Sequence, residues 1–413
     1  MSPELAKKKH TKYFQRLLQL MPSRLAESDS TRAVIAFFAI SGLDVLDSLD
    51  EIGDSMKADA VDWIYKLQIV GAGPCSGFQG STTIPKEASK YQCGHLATTY
   101  TGLVTLLILG DNLDRVDRKS IIEGVRACQN PDGSFQAIVM GYESDMRFLY
   151  CACCVSAILD DWSGINKASA IDYILRSISY DGAIGQGPGL ESHGGSTFCA
   201  IASLFLMNEL HNVLTEEHLN RLRRWCLMRQ DGGFNGRPGK PSDTCYSFWI
   251  GATLQLLDVG SLSDPDANKA FLLQTQDILV GGFAKFDNCS PDPLHTYLGL
   301  CGLSLLGEPG LNSINAALNI TERAYRHLQE EGTIKRTLSQ KRKTEEALRA
   351  LFSKGTTSPS AEREGTLTVV GVGSQPRPKT SSEVAWGTAV MELQSWLLYH
   401  LVAVTDCNQV AFI

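Results

Sequence analysis

The stretch Asp231–Leu257, "DGGFNGRPGKPSDTCYSFWIGATLQLL", opens as a glycine turn and closes as an apolar helix. Between the two stand Arg237, Lys240, Asp243, Cys245 and Tyr246. The turn has relatives along the chain. "PDGSF" ends at Phe135, "YDGAI" at Ile184, "DGGF" at Phe234 and "VGGF" at Phe283, in steps of 49, 50 and 49 residues. A weaker copy, "SGFQG", has its aromatic at Phe78. After each turn runs an apolar helix opening on an aromatic: "TYTGLVTLLIL" (Tyr100), "LYCACCVSAIL" (Tyr150), "TFCAIASLFLM" (Phe198), "SFWIGATLQLL" (Phe248) and "TYLGLCGLSLL" (Tyr297). "AFFAISGLDVL", at Phe37, resembles them and makes a sixth. Before several turns lies an amphipathic stretch such as "TEEHLNRLRRWCLMRQ" (215–230), with charged and apolar residues at helical spacing.

Each unit is thus an outer amphipathic helix, a glycine turn and an inner apolar helix. A sustained period of this length marks a repeat architecture. Six inner helices can form an open solenoid or close into a barrel. They are apolar nearly all round, which favours closure. The sequence therefore predicts an all-α fold, an α/α barrel (toroid) of about six helical hairpins. An irregular helical array is the alternative.

With 413 residues, 43% of them hydrophobic, the chain can build a large core. A net charge of -7 argues against a general nucleic-acid binder. The longest apolar runs, such as "GLVTLLILG", are too short to span a bilayer, and no secretory pattern opens the chain. The twelve cysteines are scattered, some within helical patterns. Reduced thiols and a cytoplasmic location are expected.

The opening aromatics provide a register mark. Five residues before them stand His95, Asp145, His193, Asp243 and Asp292; three before, in the middle copies, stand Arg147, Gly195 and Cys245; two before, in the last copy, stands His295. In a closed ring all inner-helix N-termini lie at one end, so these residues meet around one mouth, where helix N-termini also favour anions. Singly, each has a plain reading: an Asp before a helix is an N-cap, and a lone His or Cys is structural. Jointly, Asp243, Cys245 and His295 make a three-ligand zinc site with one coordination position open, which suggests catalysis. Arg237, Lys240, Arg147 and His193 would gather at the same mouth. Cations beside a metal and an apolar cavity suggest a phosphorylated, greasy substrate. "RPGK" is not a phosphate loop of the Gly-x4-Gly-Lys-Ser/Thr kind.

The chain resembles the β subunits of protein prenyltransferases, and among them the type I geranylgeranyl-transferring branch. The carrying stretches are "SGLDVLDSLD" (41–50), "DMRFLYCACC" (145–154), "GLESHGGSTFCAIASL" (189–204), "GRPGKPSDTCYSFWIGATL" (236–254) and "GGFAKFDNCSPDPLHTYLGLCGLSLL" (281–306), over roughly residues 8 to 330. The resemblance implies that Asp243, Cys245 and His295 hold one zinc ion per subunit. It implies that His193, Arg237, Lys240 and Tyr246 hold the lipid diphosphate, with Gly194 and Gly195 allowing close approach. Pro238, Gly239, Ser247 and Phe248 fall in the same substrate-binding motif. Arg147, Tyr150 and Trp249 would line the lipid cavity. The implied reaction moves geranylgeranyl from its diphosphate to the cysteine of a C-terminal CaaX sequence, X usually Leu. The implied partner is a prenyltransferase α subunit, in a heterodimer.

The chemistry suits these residues. A free thiol, with a pKa of about 8.5, is only a few per cent thiolate at pH 7, and zinc coordination deprotonates it. Fixed cations stabilise the leaving diphosphate without reorganising. Where relatives that transfer farnesyl or modify Rab proteins carry an aspartate, linked in the farnesyl case to magnesium, this chain has Lys285 in "GGFAKF". Lys285 would supply the charge itself, without magnesium. Val34, in "STRAVIAFF", stands where the farnesyl enzyme has a cavity-shortening tryptophan. Both details favour a twenty-carbon lipid. The alternatives are a farnesyl or Rab geranylgeranyl β subunit, or a non-catalytic lipid- or partner-binding barrel. A terpene cyclase lacks support because its Asp-rich acid motif is missing, and a glycosidase because the mouth is cationic rather than a pair of carboxylates. Two regions depart from the family. The segment 71–91 is short, and residues 331–413 form a divergent, partly disordered tail beyond the 1–330 barrel domain.

Overall fold

A computed structural model describes residues 4–20, 28–83 and 93–331. Six helical hairpins follow one another: α1 (Lys7–Gln19) with α2 (Arg32–Val45), α3 (Gly53–Lys66) with α4 (Leu96–Ile108), α5 (Arg118–Ala127) with α6 (Met146–Leu159), and α7 (Lys167–Arg176) with α8 (Gly194–Leu206). After the single turn α9 (Leu210–Val213) come α10 (Glu216–Leu227) with α11 (Tyr246–Leu256), and α12 (Pro265–Thr275) with α13 (Pro293–Leu305). The inner helices pack in the order α2, α4, α6, α8, α11, α13, and α13 returns to α2. The ring is closed. The burial pattern explains why. Every residue of α4 is buried, whereas α10 buries only Leu219, Leu222, Trp225 and Cys226, a single stripe. A helix apolar on all sides needs neighbours on all sides.

The glycine turns are small hairpins. Gln230–Asp231 pairs with Gly233–Phe234, and single bridges join Gln129 to Phe135, Ile178 to Ile184 and Gln276 to Phe283. Gly133, at φ +90°, shows why glycine recurs there: a Cβ would lie 1.9 Å from the Ser169 carbonyl oxygen of the next outer helix, α7. The hydrophobic residue ending each turn is sealed between the helices. In three of the turns its backbone N–H donates to a threonine on the inner helix: Phe78 to Thr99, Ile184 to Thr197 and Phe283 to Thr296, at 2.9, 3.1 and 2.9 Å.

One segment breaks the repeat. After α13, a hairpin of Ile314–Asn315 and Ile320–Thr321 enters the barrel. Its base is tied to the C-terminal ends of the inner helices. Asn312 N–H donates to Val45 O at 2.8 Å, Ser304 Oγ donates to Asn312 O at 2.7 Å, and Thr321 donates to Asp44. Arg323, just past it, bonds Asp44 and Ile108 O. Its tip accepts from three inward tyrosines: Tyr150 to Ala317 O at 3.0 Å, Tyr100 to Leu318 O at 2.7 Å and Tyr297 to Asn319 O at 2.7 Å.

The eleven cysteines among the described residues form no disulfide with one another. No described helix is long and apolar enough to cross a membrane. The C-terminal tail and residues 84–91 of the short segment lie outside the described residues, apart from Glu331.

Candidate active site

The N-termini of the inner helices share one end, and their caps carry the polar register residues. His95, Asp145, His193 and Asp292 each accept a backbone N–H of the first turn of α4, α6, α8 and α13. The N-cap reading therefore holds for Asp145 and Asp292, the two histidines cap as well, and Asp145, His193 and Asp292 also bond side chains.

Asp243, Cys245 and His295 are buried, and their ligand atoms lie within 4.8 Å of one another. Asp243 and Cys245 enter from the start of α11, with Cys245 N–H donating to Asp243 Oδ1 at 3.0 Å. His295 comes from the first turn of α13, its Nε2 3.3 Å from Asp243 Oδ1. The Thr244 N–H donates to Lys285 O, and its hydroxyl to Ala284 O at 2.6 Å, so the glycine turn before α13 is bonded to the loop bearing Asp243. That turn is itself held by α1, where His10 Nδ1 accepts from Gly282 N–H at 2.8 Å.

Asp292 is the residue that register alone undervalued. Besides capping α13, its Oδ2 lies 2.6 Å from His295 Nδ1. This fixes the tautomer that presents Nε2 inward, the usual support for a metal-bound imidazole. An Asp-x-x-His spacing at a helix start was the available signal.

The electrostatics fit a cation. Burial, then the Asp243 carboxylate, pushes the Cys245 thiol up to about 12. Burial would lower the His295 pKa, but Asp292 and Asp243 outweigh it and hold the imidazolium well above its usual range. Burial would raise Asp243, yet His295, with help from Cys245 N–H and Lys285, holds it down. Protons sit where a divalent ion would sit, and one carboxylate, one thiolate and one imidazole suit zinc. Asp292→Ala should weaken metal retention about 10–100-fold, measured by chelator competition, whereas Asp292→Asn keeps the cap and should lose less. Equal retention in wild type and Asp292→Ala would remove the role.

Beside this centre, His193 Nδ1 accepts from Gly195 and Ser196 N–H at 3.1 and 3.3 Å. Its proton is therefore on Nε2, which lies 2.8 Å from Tyr246 Oη and donates to it. The Tyr246 hydroxyl proton is thus directed elsewhere. Gly194 packs closely, since a Cβ would come within 2.8 Å of the end of the Ile250 side chain and 3.1 Å of the Tyr246 ring. Arg237, Pro238, Gly239 and Lys240 form a turn closed by Lys240 N–H to Arg237 O at 3.2 Å, with Gly239 at φ +74°. Proline then glycine is the type II pattern. Arg237 pairs with Glu191 at 3.1 Å, and Lys240 is exposed. Lys285 Nζ lies 3.9 Å from Asp243 Oδ2 and over the Phe286 ring.

A cavity of about 60 Å3 lies within the barrel. Arg147, Tyr150, Trp249, Val34, Leu298 and Asn319 are among its lining. Arg147 is buried and bonded to both Asp145 and Glu143, so its charge is largely matched within the protein rather than added to the mouth. Ser247 and Phe248 are placed differently from the motif's implication. Ser247 turns outward to Asn268 on α12 at 2.8 Å, and Phe248 packs in full burial against Phe198 and Trp249. Neither is among the cavity-lining residues.

Comparison with known proteins agrees with this geometry. The family profile described as the prenyltransferase alpha-alpha toroid domain matches residues 5–320. The chain is 39% identical over 342 residues to the geranylgeranyl transferase type-1 subunit beta of Arabidopsis thaliana, covering 77% of this chain and 90% of that one. It is 38% identical to the protein of the same name from Dictyostelium discoideum, covering 76% and 95%. The solved structure of Candida albicans protein geranylgeranyltransferase-I complexed with GGPP superposes with a TM-score of 0.74 at 30% identity, covering 79% of this chain and 99% of that one. The chain belongs to the prenyltransferase alpha-alpha toroid family and, within it, groups with the β subunits of the type-1 geranylgeranyl transferases.

Proposed function

We propose that this chain is the catalytic β subunit of a type I protein geranylgeranyltransferase, transferring geranylgeranyl from its diphosphate to the cysteine of a C-terminal CaaX sequence. The observation that carries the reading is the joining of the ligand triad to the apolar cavity. Trp249 and Leu298 line the cavity. They follow Cys245 and His295 by four and three residues on α11 and α13. One helical turn therefore separates metal chemistry from lipid wall.

Asp243, Cys245 and His295 would hold zinc. A zinc ion there supplies a Lewis acid that keeps the substrate cysteine as a thiolate at neutral pH. Asp292 orients His295, and Cys245 would serve as a deprotonated, non-reacting ligand. Tyr150, Trp249 and their neighbours hold the isoprenoid, each buried CH2 contributing about 0.8 kcal/mol. The diphosphate is left at the mouth, among Tyr246, His193, Arg237, Lys240 and Lys285. As the bond to the lipid carbon breaks, the leaving group gains charge, and these groups are already in place to meet it. An α subunit would complete the enzyme.

Co-expression with a type I α subunit tests this. The purified heterodimer should carry one zinc and prefer geranylgeranyl over farnesyl diphosphate with a peptide ending in Leu. A heterodimer that holds no zinc and transfers neither lipid is a non-catalytic barrel. A milder prediction concerns the rim. Arg237→Ala or Lys240→Ala should weaken the diphosphate by up to about 1.5 kcal/mol each, the low end for a bond to a charged group, because both side chains meet solvent. An uncharged prenyl alcohol should bind unchanged. Parallel losses for both ligands would show a packing role instead.

A further inference from the structure

The hairpin that breaks the repeat ends inside the barrel, and Asn319 at its tip is one of the cavity-lining residues. Asn319 is 5% exposed, and its Oδ1 has no hydrogen-bond partner among the described residues. Its backbone is left-handed, at φ +50°, a conformation asparagine tolerates better than apolar residues do. A buried amide oxygen without a partner thus belongs to a residue of the cavity wall, among mainly apolar side chains joined by Thr101, Arg147, Cys151 and Cys199. It is held firmly. The three tyrosine hydroxyls grip the carbonyls of Ala317, Leu318 and Asn319, and the base is tied to the C-terminal ends of α2, α4 and α13, opposite the mouth. The hairpin therefore enters from the far end and brings Asn319 to the cavity wall.

We propose that Asn319, carried on this hairpin, is the length gauge of the cavity: it admits a twenty-carbon prenyl chain and stops a longer one. The inference rests on the proposed lipid-binding function. A chain that ends short of the amide leaves it undisturbed. A chain one isoprene longer must press apolar carbons onto a polar group that they cannot satisfy and that the tyrosines will not release. The anchors use backbone carbonyls, so a change of the Asn319 side chain leaves them intact.

The test measures dissociation constants of farnesyl, geranylgeranyl and geranylfarnesyl diphosphate (fifteen, twenty and twenty-five carbons) on the heterodimer with a type I α subunit. Asn319→Gly suits the positive φ and removes the amide. It should tighten the twenty-five-carbon ligand at least tenfold relative to the twenty-carbon one. Asn319→Asp keeps the size and adds charge, and should discriminate against the longest chain more strongly than wild type. Opposite shifts of this ratio in the two variants support the gauge. An unchanged ratio, or parallel loss of all three ligands, overturns it and leaves a structural role. The Asp variant alone suffices if the Gly variant does not fold. Failure of the wild type to bind any of the three overturns the lipid-binding function itself, and the gauge with it.

Discussion

Cys245→Ser and His295→Ala heterodimers should purify without zinc and lose transfer, while their helical circular dichroism stays close to wild type. The ligand atoms of Asp243, Cys245 and His295 converge within 4.8 Å from two neighbouring inner helices, so deleting one leaves two donors on an open site. Metal assistance is worth several kcal/mol, and about 4 kcal/mol corresponds to on the order of 10³ in rate. The fold should survive because neither side chain closes the ring. Cys245 precedes α11, and the helix packs against both α8 and α13. A serine hydroxyl in place of the Cys245 thiol would also be a poor zinc ligand at neutral pH, since it is far harder to deprotonate. Zinc content by elemental analysis and single-turnover transfer are the measurements. Stoichiometric zinc with normal turnover in either variant would sink the assignment.

Removing the Lys285 ammonium should slow transfer about 10²–10³-fold, the usual loss when one fixed charge or donor at a developing anion is deleted. Wild type should be insensitive to magnesium chelation as long as zinc is retained. Lys285→Ala should be slow with or without magnesium. Lys285→Asp should be slow in magnesium-free buffer and partly restored by millimolar magnesium, because a carboxylate with phosphate oxygens suits that cation. The structure adds a control. Lys285 Nζ lies 3.9 Å from Asp243 Oδ2, so the aspartate variant faces a carboxylate of the proposed metal site, and its zinc content must be measured first. If wild type needs magnesium and Lys285→Asp behaves like it, the lysine has no such role.

Much of this protein was legible in the sequence alone. The steps between Phe135, Ile184, Phe234 and Phe283 set a helical repeat. Inner helices apolar on every side, as α4 is buried on every side, implied closure, because a one-stripe helix would have left an open array. Closure in turn gave the register its meaning: residues about fifty apart return to the same height on adjacent helices, which is how Asp243 and Cys245 came to be set beside His295.

Periodicity did not reveal which way a side chain faces within a motif, or what it pairs with. At about 100° per residue, Trp249 lies within roughly 40° of Cys245 around α11 and joins the cavity. Ser247 lies roughly 200° away and turns to Asn268 on α12. Motif membership treats these neighbours alike, and the helix does not. Pairing is equally nonlocal. Arg237 and Glu191 are 46 residues apart and meet through the ends of long side chains. The hairpin inside the barrel is the extreme case. It departs from the repeat, and its tip is held by hydroxyls from Tyr100, Tyr150 and Tyr297, residues 218, 167 and 22 positions from the carbonyls they bind. A repeat pattern records what each unit does for its neighbours. What fills the space the closed ring encloses is decided only when all six hairpins are in place.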